Sequence, residues 1–267
     1  MTHLSCPLCH KPLTLEGRSW QCENHHNYDI ARQGYVNLLL NPDKASNNPG
    51  DSRESLDARR AFLTKGWYRP ILDDVLEAIR TYAPGAKDIL DLGCGEGWYT
   101  AEAFKQMPEC TFYGLDISKL GVRMATRYTK DIVWMVGNSK NLPIEDHSLD
   151  AIMALFTVVN SDEIARTLKQ DGIMVHVTAN RNHLIEIKHL IYDEVFVKSD
   201  EHIRQPFDVL ESHDLTKTIH IDNREDALNL LKMTPHYYHI RQDKRPVLDE
   251  LQALDVTIDV KVTVYRP

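Results

Sequence analysis

The stretch Asp88-Ile89-Leu90-Asp91-Leu92-Gly93-Cys94-Gly95-Glu96-Gly97-Trp98 constrains the fold of this chain more than any other. A mostly apolar strand runs into three glycines at alternate positions, and a segment of helical character follows. Glycine lets the backbone bend sharply and come within contact distance of a ligand, where a Cβ would collide. In open parallel sheets, ligands sit beyond the carboxyl ends of the strands, where this first turn would fall. The rest of the body keeps the alternation, with strands at 111–115, 132–136, 149–156 and 173–177 and helices at 99–106, 119–128 and 162–168. Strands separated by single helices imply right-handed crossovers and a doubly wound, mainly parallel α/β sheet with helices on both sides. The final run, Val256 to Tyr265, alternates apolar and polar residues, which suits a half-exposed antiparallel strand.

The next strand ends in Gly114-Leu115-Asp116, placing a carboxylate one strand over, where it can accept hydrogen bonds from both hydroxyls of a ribose. After the third strand, Gly137-Asn138-Ser139 offers either a contact to an adenine edge or an ordinary polar turn. Dinucleotide-binding sheets use Gly-x-Gly-x-x-Gly at the first turn. Here the third glycine comes one residue earlier, and Glu96 lies where a phosphate would meet negative charge. A carboxylate better suits a cationic ligand, and S-adenosylmethionine carries an amino group and a sulfonium. The pattern from Asp91 to Gly97 resembles motif I of class I methyltransferases, which implies cofactor contacts from Gly93, Gly95 and Glu96.

Upstream, Cys6-Pro7-Leu8-Cys9 is followed by Cys22 and then by His25 and His26, while Cys94 and Cys110 lie far away. An odd cysteine count clustered in this way argues for metal rather than disulfides. Zinc takes four tetrahedral ligands from thiolates and imidazoles, and spacing alone admits either histidine as the fourth. So short a segment cannot stabilise itself by burial, so the ion would act as its core, and a site with no open position is structural. We therefore expect a zinc-binding domain at 1–40, a linker with lead-in helices at 41–87, and a methyltransferase domain at 88–267. The linker from Asn41 to Ser52 has turn formers and no apolar period, Ser55 to Lys65 has helical character, and Ile71, Leu72, Val75, Leu76 and Ile79 recur on one helix face.

Composition narrows the partners. Hydrophobic residues make up 42% and charged residues 26%, as in soluble globular proteins. The longest apolar stretches, Tyr35 to Leu40 and Ala151 to Val159, fall short of the roughly 20 residues of a membrane span. The first residues lack the basic start and apolar segment of a secretion signal, so a cytoplasmic protein is expected. A net charge of −8 opposes binding to phosphates, because nonspecific nucleic-acid affinity comes from Lys and Arg. Arg53, Arg59, Arg60, Lys65 and Arg69 fall close together, but Glu54 and Asp57 dilute the run, which reads as a solvated helix face.

With both features in one chain, the sequence resembles the bacterial 23S ribosomal RNA (guanine-N1)-methyltransferases. The likeness covers most of the chain and is strongest in the Cys/His head, in the run from His26 to Leu39, in Pro49-Gly50-Asp51-Ser52 and in Arg59-Arg60-Ala61-Phe62-Leu63. It implies an enzyme that methylates a guanine N1 in an rRNA hairpin, works as a homodimer, and holds a structural zinc through Cys6, Cys9, Cys22 and His26. It also implies S-adenosylmethionine contacts from Tyr68, Asp116 and His183. By residue type alone, Tyr68 is a half-buried aromatic and His183 a loop histidine. The chain departs from the family at Leu155-Phe156-Thr157-Val158-Val159-Asn160, which lacks a proline expected near the target-base pocket, and at Lys169-Gln170-Asp171-Gly172, which replaces a Pro-Gly turn. No residue stands out as a general base. Trp98, Tyr99 and Phe156 are candidates to stack on an extruded base, with core packing preferred for Phe156. Rival readings are a methyltransferase acting on a small molecule or protein, and an inactive zinc-dependent RNA-binding module.

Overall fold

The computed structural model describes residues 2–40, 50–193, 207–246, 248, 251 and 253–267. Most of the expected linker, 41–49, lies outside them. Period-two alternation builds two cores, one on each side of a sheet. In β5 (Asp88–Leu92), Ile89 joins the first core while Leu90 and Leu92 join the second. In β6 (Thr111–Asp116), Phe112 joins the first, and Tyr113 and Leu115 the second. A sheet buried on both sides is the setting in which parallel pairing survives. With β7 (Val133–Val136), β8 (Leu149–Leu155) and β9 (Leu168–Ala179), these strands run parallel in the order β9-β8-β5-β6-β7. Sequence neighbours diverge to either side of β5, so the crevice opens at its carboxyl end.

The first core is roofed by α1 (Arg53–Leu63), α2 (Arg69–Tyr82), α3 (Trp98–Gln106), α4 (Lys119–Ala125), α6 (Ile185–Ile191) and α7 (Arg224–Lys232). In α2, Ile71, Leu72, Val75, Leu76 and Ile79 are all buried, as their spacing predicts, and each contributes about 1.5 to 3 kcal/mol. Ser52 starts α1 by accepting the N–H of Ser55 at 3.1 Å. On the other side α5 (Ser161–Thr167) buries Ile164.

Two antiparallel strands extend one edge: β11 (Leu254–Arg266) pairs with β9, and β10 (Asp208–Ile221) pairs with β11. The expectation of a half-exposed final strand is corrected. Val256, Ile258, Val260, Val262 and Val264 are buried, but so are Asp259 and Thr263. They tolerate burial because Asp259 accepts from Asn180, Asn182 and Thr216, and Thr263 meets the Ser212 hydroxyl at 3.0 Å.

At the other edge the N-terminal head merges with the body. Its β1 (Thr14–Glu16), β2 (Ser19–Gln21) and β3 (Asn27–Asp29) form a separate antiparallel sheet, whereas β4 (Tyr35–Asn37) pairs parallel with β7 as the eighth strand of the main sheet. Leu4, Leu13 and Trp20 share the second core with Tyr113, Leu142 and Ile144. The N–H of His3 donates to the Tyr113 hydroxyl, and that of Ser5 to the carbonyl of Pro143. Among the described residues, no helix is long and apolar enough to cross a membrane.

Candidate cofactor cleft and metal cage

Two tight turns of the head bring Cys6, Cys9, Cys22 and His26 together, with all four ligand atoms within 4.8 Å of one another. His26 Nδ1 lies 3.4 Å from each of the three sulfurs, and the Cys9 and Cys22 sulfurs are 3.7 Å apart. A tetrahedral ion with Zn–S bonds of about 2.3 Å and a Zn–N bond of about 2.0 Å separates sulfurs by about 3.8 Å and sulfur from nitrogen by about 3.5 Å, so the cage fits zinc. The geometry also separates the two histidines. His25 takes a left-handed φ of 61°, its N–H donates to the Cys22 carbonyl, and its ring is exposed outside the cluster. The Tyr28 hydroxyl sits 3.2 Å from the Cys6 sulfur, a support that spacing did not reveal. Burial pushes the Cys22 thiol up, so a cation is what would turn it into a thiolate.

The glycine turn follows β5. Gly93 has a φ of 78°, and a Cβ there would sit 2.5 Å from the Thr157 hydroxyl; Gly97 has a φ of 90°, and a Cβ there would overlap Ala125. The missing Cβ atoms let the turn pack against Thr157 and Ala125, and its backbone is held by the protein: Gly93 and Cys94 donate to the Leu115 carbonyl and Gly97 to that of Cys94. Asp116, at the end of β6, accepts the N–H of Gly95 at 2.9 Å and that of Ser118 at 2.7 Å, which fixes its carboxylate at the rim. Asn138 uses Oδ1 to accept the Lys140 N–H, forming the polar turn considered from sequence, and keeps its amide N–H donors.

Glu96 is placed differently from its expected role. Its side chain is 1% exposed and accepts from the Trp98 N–H and the Tyr128 hydroxyl, with the Arg60 guanidinium 3.9 Å away and stacked on Tyr128. The carboxylate ties the turn to α1 and to the segment that follows α4, so its side chain is engaged within the protein.

Three groups named from the sequence for other reasons, or only as part of a motif, gather near the glycine turn. Asp91 is buried, accepts the Thr100 hydroxyl at 2.5 Å, and is pushed up to about 7, first by burial and then by the charges of Asp116 and Glu96. The Tyr99 hydroxyl is buried without a hydrogen-bond partner in the field of Tyr68, Arg59, Asp91 and Glu96. Arg59 lies over Gly95, within 3.1 Å of where a Cβ would be, and pairs with Asp51 at 2.6 Å. Asp91 was legible in the motif itself; the other two come together only through the fold.

Tyr68 and His183, far apart in the chain, meet at 3.4 Å. Phe156, with a φ of 56°, stands beside both, its ring 6.3 Å from that of Tyr68 and 5.6 Å from that of His183. Phe156 is 41% exposed, so the core-packing preference for it is corrected, while Trp98 is buried. The reason is its backbone: a left-handed turn ends β8 and rotates the ring out of the sheet. His183 Nδ1 accepts the Asp259 N–H at 3.2 Å, and burial lowers the ring to about 4, so it is neutral with its proton on Nε2 facing Tyr68.

A doubly wound sheet with a glycine-lined, acid-rimmed cleft at its switch point, joined to a three-cysteine, one-histidine cage, defines an S-adenosylmethionine-dependent methyltransferase with a zinc ribbon. Family profiles agree: the zinc ribbon described as RlmA, N-terminal, matches residues 4–47, and a methyltransferase domain matches residues 89–172. The 23S rRNA (guanine(748)-N(1))-methyltransferase of Streptomyces fradiae is 31% identical over 99% of this chain and 97% of its own length. YxjB of Bacillus subtilis, named for 23S rRNA (guanine-N1) methylation, is 30% identical over 97% of this chain and 95% of its own. The chain belongs to this 23S rRNA (guanine-N1)-methyltransferase family.

Proposed function

We propose that the protein transfers the methyl group of S-adenosylmethionine to N1 of a guanine in 23S ribosomal RNA. The observation that carries this reading is a near full-length likeness to relatives named for that reaction, in a chain whose cleft has the groups such a cofactor needs. Bound S-adenosylmethionine supplies a methyl group made electrophilic by a positively charged sulfur. The chain's part is to align, desolvate and orient. In this reading the backbone at Gly93, Gly95 and Glu96 lies along the cofactor, Asp116 accepts from the ribose, and Asn138 donates to the adenine edge. Tyr68 and His183 wall the methyl-bearing end. The Tyr99 hydroxyl, otherwise orphaned, gains its partner from a bound ligand.

Phe156 is the platform on which the extruded guanine stacks. The proton on guanine N1 does not go to His183, whose Nδ1 is already occupied by the Asp259 N–H and whose Nε2 bears a proton. Zinc held by Cys6, Cys9, Cys22 and His26 takes no part in the reaction, since four protein ligands leave no open position. We extend the reading to a homodimer in the cytoplasm, where bacterial ribosomes are; light scattering giving a single-chain mass would remove the dimer.

The test of the reaction is transfer of radiolabelled methyl to unmethylated 23S rRNA. Incorporation should coincide with a new reverse-transcription stop at one guanine. Sustained absence of label, with cofactor binding intact by calorimetry, would exclude ribosomal RNA as the substrate.

A further inference from the structure

The five cations from Arg53 to Arg69 are all engaged. Arg53 pairs with Asp57, Arg59 with Asp51, Arg60 with Glu96, Lys65 with Asp226, and Arg69 with Asp73 and Glu102. A second run behaves otherwise. From Ile117 to Lys130 there are four cations, Lys119, Arg123, Arg127 and Lys130, and no acid. Lys119, Arg123 and Arg127 are exposed, and none has an acidic partner among the described residues. They recur every fourth residue along α4 and the turn that closes it, so they lie on one side about 6 Å apart along the axis. Like charges at that spacing repel, and in a chain of net charge −8 the absence of any neutralising acid sets this surface apart.

Its ends are informative. One end starts at Ser118, whose N–H is held by the cleft carboxylate Asp116. At the other end, the Lys130 ammonium donates to the carbonyl of Gln33 in the zinc head, beside exposed Arg32. The stripe thus runs from the mouth of the cofactor cleft to the head. We propose that it is a phosphate track, along which the backbone of the RNA substrate lies between cleft and zinc ribbon; this rests on the ribosomal RNA reading above. A polyanion is the partner whose charge complements an uninterrupted row of cations, and RNA is the one that must also reach the cleft.

The test uses the full-length zinc-loaded protein and unmodified 23S rRNA made by transcription, with affinity measured by filter retention across a salt series. In the triple variant K119Q/R123Q/R127Q, glutamine keeps helix propensity while removing charge. Its affinity should fall roughly ten- to a hundredfold at low salt, and the slope of log affinity against log salt should flatten by about 2 to 3. Calorimetry should give wild-type affinity for S-adenosylmethionine. The control K217Q/R245Q, which removes two exposed cations elsewhere, should bind RNA like wild type. The stripe is refuted if the triple variant keeps wild-type affinity and slope, if the control loses as much, or if the triple variant also loses cofactor. Wild-type protein that binds cofactor but no RNA would instead overturn the substrate reading, and the stripe with it.

Discussion

The metal cage and the cofactor cleft are both polar sites built on tight turns, yet they are satisfied in opposite ways. In the cage, the four ligand atoms find mainly one another, His26 Nδ1 being 3.4 Å from each of three sulfurs. In the cleft, the carboxylates are already held by the protein: Asp116 by two backbone N–H groups, Glu96 by Trp98 and Tyr128, Asp91 by Thr100. A site whose ligand atoms have few outside partners, here the Tyr28 hydroxyl at Cys6, depends on its ion to hold together. A site whose acceptors are engaged in advance keeps its shape and waits for a ligand, which is what alignment chemistry requires.

Removing the ion gives the largest expected effect, because structural zinc contributes about 10 to 16 kcal/mol of apparent binding free energy. A chelator should release one zinc per chain and speed amide exchange through residues 2–40. The effect should reach β7, since the Leu38 N–H donates to the Val136 carbonyl and the head covers Tyr113, Leu142 and Ile144. Native mass spectrometry finding no metal, or exchange unmoved by chelation, would break the contrast at its first term. In the cleft, Gly97→Ala combines a left-handed φ of 90° with overlap on Ala125, for a loss of about 3 to 5 kcal/mol in chemical denaturation. A variant as stable as wild type would mean the turn is pliable and the cleft not preformed.

What the sequence made legible follows from which interactions are local. Cys6, Cys9 and Cys22 with a following histidine announce themselves because metal ligands need residue types, and the strand and turn from Asp88 to Gly97 because a bend needs glycine. Spacing left His25 and His26 undecided and the resemblance favoured His26; the fold agrees, with His26 Nδ1 among the sulfurs and a left-handed φ at His25 turning the other ring away. The direction of the Glu96 side chain was hidden because it depends on Arg60 and Tyr128, distant in the chain. The pairing of β4 with β7 was hidden for the same reason: Tyr35–Asn37 carries no sign of a partner almost a hundred residues away. Of the two basic runs, the sequence drew attention to the one from Arg53 to Arg69, where five cations are visible; that their partners include Asp51, Glu96, Glu102 and Asp226 is a property of the fold.

His183 sharpens the contrast through pH. Its folded value of about 4 lies below the ordinary 6.5, so the folded state resists the proton that the unfolded chain accepts. The contribution is fully present above pH 6.5 and is lost as pH falls toward 4, amounting to about 3 kcal/mol. His183→Gln should therefore lose less stability than wild type between those limits in parallel denaturant titrations. Equal pH slopes for the two proteins would show that the ring is not held neutral.

The smallest effect concerns Asp91, and it asks whether the cleft is as complete without its ligand as the hydrogen bonds suggest. Burial pushes the carboxyl up to about 7, with Asp116 and Glu96 acting in the same direction and the Thr100 hydroxyl opposing them. A cationic ligand binds the ionised form better, so the proton must leave before the cofactor gains the full attraction. Calorimetric affinity for S-adenosylmethionine should then strengthen about tenfold between pH 5.5 and 7 and level off above, with a proton released on binding at the lower end. In Asp91→Asn the rise should vanish while the affinity above pH 7 drops. A wild-type affinity that is flat over this range would mean that Asp91 already carries its charge in the empty cleft, or that the cofactor's positive groups lie elsewhere.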